Sequence, residues 1–113
     1  MRKIEREMCQ AIVDDRDHWC KANTSVSKDA DGVHHVYLHG NEIAQVDDLN
    51  IKVRHCGWRT NTTKSRLNAI LTTFGYGFDG VFQKDFMWYL HDSHTSTDTE
   101  MSYAHEWYEL SNF

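Results

Sequence analysis

Proline is absent from all 113 residues, so no cis-prolyl bond and no prolyl kink shapes this chain. Element boundaries are therefore left to six glycines and to capping side chains. Cysteine is scarce and odd in number. Cys9, Cys20 and Cys56 show no Cys-x-x-Cys spacing, which argues against a disulfide framework and fits reduced thiols in a cytosol. No apolar run approaches the ~20 residues of a membrane helix. Glu5 and Glu7 interrupt the N-terminus, so neither a membrane span nor a signal peptide is expected.

One sign of charge is missing from a whole segment. Between Leu49 and Phe78 there is no aspartate or glutamate, while Lys52, Arg54, Arg59, Lys64 and Arg66 all fall there. The chain has 12 basic and 17 acidic residues, so the remainder holds seven bases against all 17 acids. That overall acidity excludes a general nucleic-acid coat protein, which would be basic throughout, but leaves room for a local phosphate site.

The basic segment centres on Gly57-Trp58-Arg59-Thr60-Asn61-Thr62-Thr63-Lys64-Ser65-Arg66. A Thr/Asn-rich loop entering a helix offers hydroxyls and open backbone N–H groups, and the helix dipole there favours anions. Lysine and arginine in such a first turn are locally out of place, and a bound anion would account for them. The candidate phosphate or nucleic-acid site is therefore Trp58, Arg59, Thr60, Thr62, Thr63, Lys64, Ser65 and Arg66, with Lys52 and Arg54 nearby. Trp58 or Arg59 would stack on a base. The competing reading is a threonine-capped helix, with Thr62 or Thr63 as the cap and two solvated bases.

At 113 residues the chain fits one domain, since domains commonly run about 100–150 residues. Ile4, Met8, Ala11, Ile12 and Trp19 recur at helical spacing and predict an amphipathic helix over about residues 2–21, which would carry both Cys9 and Cys20. A polar loop follows, with a short strand at Val26. Gly40-Asn41 signals a hairpin that pairs Leu38 with Ile43 and Tyr37 with Ala44. With a tight turn at Asp47-Asp48, one sheet face carries His35, Tyr37, Ala44, Val46, Leu49, Ile51 and Val53. That face is expected to be the core, with Val36, Leu38, Lys52 and Arg54 on the other. A second helix is expected over about residues 63–74, with Leu67, Ile70, Leu71 and Phe74 buried and Gly75 stopping it. Val81–Gln83 and Phe86–His91 form a last hairpin around Lys84-Asp85. Thr97-x-x-Glu100 then caps a short helix, or the tail forms an edge strand. The class is α+β: an N-terminal helix, an antiparallel three-strand meander, a second helix, a C-terminal hairpin and a short tail. Its opening order matches that of a double-stranded RNA-binding domain, although the acidic first helix is a poor duplex-binding surface.

Asn23-Thr24-x-Val26, Leu38-His39-Gly40-Asn41-x-Ile43-Ala44 and Gly57-Trp58-x-Thr60-x-Thr62-Thr63-Lys64-Ser65-Arg66-Leu67-Asn68-Ala69-Ile70-Leu71 form a pattern, completed by Val81-Phe82-Gln83-Lys84 and Trp88-x-Leu90. It resembles that of small proteins encoded by tailed bacteriophages. The resemblance covers about residues 20–91 and implies a phage origin and expression in a host bacterial cytoplasm. It implies no catalytic residue. The first helix and the acidic tail lie outside it.

Eight histidines raise the question of metal. His91-x-x-His94, His18-x-Cys20 and His55-Cys56 are pairs without a recognised zinc spacing, so no metal and no cofactor are expected. His55 and Cys56 are adjacent on a predicted strand and would point to opposite faces, which disfavours a nucleophile and base. Gly75-Tyr76-Gly77-Phe78 follows a helix rather than opening one, so it is not a phosphate loop. A non-catalytic binder is expected, acting on a host or phage macromolecule. Its ligand is either a nucleotide or short nucleic acid at the basic segment, or a protein. Trp88, Tyr103, Trp107, Tyr108 and Phe113 are the candidate protein interface, within an acidic aromatic tail over residues 92–113. That tail packs on the sheet, meets a partner, or mediates self-association. A virion structural component is a further alternative.

Overall fold

The first helix, α1 (Lys3–Val13), is shorter than its periodicity predicts. Asp15 adopts a left-handed φ of 56°, and the Arg16 amide bonds back to the Ala11 carbonyl, which closes the helix. The chain reverses, and Trp19 and Cys20 enter a strand, β1 (His18–Lys21), instead of a fifth helical turn. Cys9 and Cys20 therefore lie on different elements. In this computed structural model, which describes residues 1–111, five further strands join β1 in one antiparallel sheet. They are β2 (Thr24–Lys28), β3 (His34–Leu38), β4 (Asn41–Val46), β5 (Asn50–Val53) and, from the tail, β9 (Tyr108–Ser111), in the order β1-β2-β3-β4-β5-β9. The helix α2 (Asn61–Phe74) leads to a second antiparallel sheet of β6 (Gly80–Lys84), β7 (Met87–Asp92) and β8 (Thr97–Glu100).

The architecture is α+β, but its strand content exceeds the predicted meander. Val26 belongs to a full strand, and the tail supplies β8 and β9 in place of a capped helix. β9 pairs with β5 through Val53–Tyr108 and Ile51–Leu110, which is the edge-strand alternative.

The β3–β4 hairpin differs from the expected register by two residues at Leu38 and Tyr37 and by one beyond a bulge, with consequences for every side chain on β3. Its turn is His39-Gly40, both at positive φ (51° and 78°) as a tight primed turn requires, so Leu38 faces Asn41 and Tyr37 faces Glu42. A bulge at Ile43 then restores Val36 opposite Ala44. As a result Ile43 and Ala44 are both buried, and β3 turns His34, Val36 and Leu38 inward. The predicted core residues His35 and Tyr37 instead face outward, because the extra residue at the bulge inverts β3 relative to the inward side of β4. Leu49 is also exposed. The turn spans Asp47–Leu49, held by Asp47 Oδ1 accepting from the Leu49 and Asn50 amides, so Val46 meets Ile51.

The inward residues of the large sheet, Val26, Val36, Val46, Ile51 and Val53, pack against Met8, Cys9 and Ile12 of α1 and Leu67, Ile70 and Leu71 of α2. Val81, Trp88, Leu90 and Met101 close the same core from the small sheet, whose strand β6 packs on α2. Asn68 ties the two together. Its side chain accepts from the Val81 amide and donates to the Val81 carbonyl (2.7 and 2.9 Å).

Candidate ligand site at the start of the second helix

A left-handed pair, Cys56-Gly57 (φ 55° and 82°), turns the chain after β5 and projects Trp58 outward. Trp58 is 59% exposed, although its backbone is fixed by a 2.9 Å bond to the His55 carbonyl. Thr60 is extended, and its Oγ1 accepts from the Thr63 amide at 3.2 Å, so Thr60 is the N-cap rather than Thr62 or Thr63. Thr63 is wholly buried, and its hydroxyl meets Thr60 Oγ1 at 3.0 Å. The amides of Asn61 and Thr62 make no hydrogen bond among the described residues and remain the helix's open donors.

Beside them lies a cavity of about 270 Å³. Trp58, Thr60, Thr62 and Thr63 form one wall, and Leu38, His39, Asn41 and Ile43 of the β3–β4 hairpin form the other. The hairpin residues were not candidates from sequence. Gly40 announced a turn, but no local signal shows that this turn meets a loop about twenty residues further on.

The five bases of the acid-free segment do not converge on that cavity. Arg66 is 3% exposed and is consumed internally. Its Nη1 donates to Glu5 Oε2 at 2.7 Å, its Nε to Thr24 Oγ1 at 3.0 Å and its Nη2 to Asn23 Oδ1 at 3.3 Å. Ser65 likewise donates to Glu5 Oε2 at 2.6 Å. The partner that explains these two residues is the carboxylate of α1, not an external anion. Burial alone would raise the Glu5 carboxyl, but the Ser65 hydroxyl, the Arg2 amide and Arg66 outweigh it and hold Glu5 below the ordinary range.

Arg54 is also engaged. Its Nε donates to the Glu42 carbonyl at 2.8 Å, and its guanidinium lies 4.0 Å from the centre of the Trp107 ring. Lys52 sits on the outer face of the sheet, opposite Gln45 and Glu109. Arg59 is exposed, with one 3.3 Å bond to the Ser102 carbonyl, and Lys64 is partly buried on the first turn of α2. Arg59 and Lys64 are thus the remaining bases, adjacent in sequence to the cavity residues Trp58, Thr60 and Thr63 although neither lines the cavity.

The aromatic tail is divided in the same way. Trp88 and Tyr108 are core residues, Trp107 lies under Arg54, and Tyr103 is exposed. Phe113 lies outside the described residues. Trp88 and Tyr108 are covered because β7 and β9 turn those positions inward.

His55 and Cys56 do not form a nucleophile and base. The His55 ring donates through Nε2 to the Met101 carbonyl and accepts through Nδ1 from the Gly57 amide (2.9 and 3.0 Å), and burial holds it neutral. Burial also raises the Cys56 thiol, whose Sγ donates to the Glu42 carbonyl at 3.1 Å. Among the described residues no three His, Cys, Asp or Glu side chains converge to hold a metal ion. Nor is any described helix long and apolar enough to cross a membrane.

The sequence model of the Kyanoviridae Gp96 protein family matches residues 1–110. The chain belongs to that family of phage proteins. No curated protein and no solved structure matches it significantly. The family match runs beyond the residue 20–91 pattern to include α1 and most of β9, so α1 and residues 92–110 fall within the family's span.

Proposed function

We propose that this phage protein acts by stoichiometric binding, without catalysis, in the host bacterial cytoplasm, as an accessory factor in host modulation or counter-defence. The proposed ligand is a nucleotide or a short single-stranded nucleic acid, and the proposed site is the cavity beside Trp58. The observation that carries this reading is an exposed indole that shares a cavity wall with the capping turn of a helix whose first amides are open. A base stacked on Trp58 gains about 1–3 kcal/mol, and a phosphate at Asn61 and Thr62 meets N–H donors and the positive end of the dipole. Leu38 and Ile43 supply an apolar floor. Arg59 and Lys64 add only a few contacts, so binding should be weak and salt-sensitive.

The test is fluorescence anisotropy of labelled nucleotides and short RNA and DNA at two salt concentrations, for wild type and Trp58→Ala. Binding that weakens with salt and falls about tenfold or more in the variant supports the reading, since a lost stacking contact of ~1.4 kcal/mol is a factor of ten. No binding at low salt, or equal binding by both proteins, rejects it. Mass spectrometry of purified particles separates the accessory role from a virion one, because a structural component must be present there in fixed copy number.

A further inference from the structure

A second cavity, of about 610 Å³, opens at the far ends of both helices and shares no residue with the first. Val13 and Phe74, the last residues of α1 and α2, line it. Both helices therefore direct the negative ends of their dipoles toward it, and neither carries a basic residue in its last turn. Asp15, Asp31 and Asp48 stand on its walls. Lys28 offsets part of that charge, pairing with Asp15 at 3.1 Å and Asp17 at 3.3 Å.

His34 also lines the cavity. It is 5% exposed, and its Nε2 makes no hydrogen bond. Asp15 Oδ1 lies 3.4 Å away but outside hydrogen-bonding geometry. A buried ring nitrogen left unpaired is costly, and here it faces a site rich in negative charge. Burial lowers the affinity of His34 for a second proton, so the ring is held neutral, and in the tautomer protonated at Nδ1 its Nε2 is an acceptor.

We propose that this cavity binds an organic cation bearing N–H donors, an alkylammonium or guanidinium group, which donates to His34 Nε2 and pairs with Asp15, Asp31 and Asp48. A bare metal ion fits less well. The carboxylates do not converge on one point among the described residues, whereas the apolar Val13 and Phe74 suit a methylene stem. A free polyamine and a lysine or arginine side chain of a protein share this chemistry.

The test is titration of the full chain with spermidine and with Nα-acetyl-arginine amide, followed by amide NMR and calorimetry. Tetramethylammonium, which has no N–H, and magnesium chloride are the controls. Both amines are expected to shift the Gly32, Val13 and Thr73 amides while leaving Trp58 unmoved, which separates this site from the first cavity. The tighter of the two identifies the source, a free polyamine or a protein side chain. Asp31 and Asp48 are exposed, so Asp31→Asn with Asp48→Asn should preserve the fold and weaken binding about tenfold, the ~1.4 kcal/mol of one charge-assisted contact. His34→Leu should remove the preference for N–H donors over tetramethylammonium. The proposal is overturned by no shift with either amine, by equal shifts with tetramethylammonium or magnesium, or by unchanged affinity in the double variant.

Discussion

Glu5 and Arg66 are 61 residues apart in the chain and meet at 2.7 Å in the interior, joining α1 to α2. Removing one member strands the other charge, so Arg66→Ala is expected to destabilise by about 3–5 kcal/mol, read from the urea midpoint. Replacing both, Glu5→Leu with Arg66→Met, should cost less than Arg66→Ala alone, because no buried charge is left unpaired. A solvent-facing arginine would change stability by no more than about 0.5 kcal/mol, so the two placements of Arg66 are far apart in this measurement.

His35 provides the pH test. It bridges two carboxylates, with Nε2 at 2.7 Å from Asp29 Oδ2 and Nδ1 against Glu42. Burial would lower its proton affinity, but the Asp29 and Glu42 contacts and their charges prevail and raise it. A raised value means stabilisation that is full below the ordinary imidazole range, about pH 6.5, and lost as pH rises through the folded value. The buried neutral rings of His34 and His55 act in the opposite sense, losing stability as pH falls. The difference in unfolding free energy between wild type and His35→Gln isolates the bridge. It should be largest in mild acid, where the ring is charged and both carboxylates are still ionised, and shrink toward alkaline pH, and a constant difference would exclude a charged bridge.

Thr60 caps α2 through the Thr63 amide. Thr60→Ala is expected to cost about 1 kcal/mol by urea unfolding, while Thr62→Ala should stay within about 0.5 kcal/mol. Equal losses at the two positions would place the cap elsewhere.

The β6–β7 turn strains two ordinary residues, with Asp85 and Phe86 at φ 52° and 67°. Phe86 is 90% exposed, so its ring contributes little burial. Phe86→Gly is expected to raise stability by roughly 1 kcal/mol despite deleting an aromatic, since left-handed backbone costs a side-chain-bearing residue about that much. A lowered melting temperature would mean that the exposed ring has a structural contact.

The sequence by itself determined the class of the fold and most of its signals. Leu67, Ile70 and Leu71 mark the buried face of α2 by their period, Ala44, Val46, Ile51 and Val53 mark one face of two strands, and Gly40 and Gly75 sit at a turn and a helix end. These are local patterns, set by the helical and strand repeats and by backbone preference. Tertiary structure decided the rest. Periodicity alone carries α1 past Asp15, but the chain reverses there and Trp19 pairs with Val26 in β1, packed against the core. The bulge at Ile43 inverts β3, and its signal is a hydrogen-bond register between strands rather than any residue type. Charge was the least legible quantity. Lys52, Arg54, Arg59, Lys64 and Arg66 are close in sequence, yet Arg66 goes to Glu5 of α1 and Arg54 to the Glu42 carbonyl of β4. Long-range partners fix where a flexible charged side chain ends, and one strand of sequence does not display them. The two cavities were hidden for the same reason, because the first joins the β3–β4 hairpin to the start of α2 and the second joins the sheet to the ends of both helices, and these elements meet only in the packed fold.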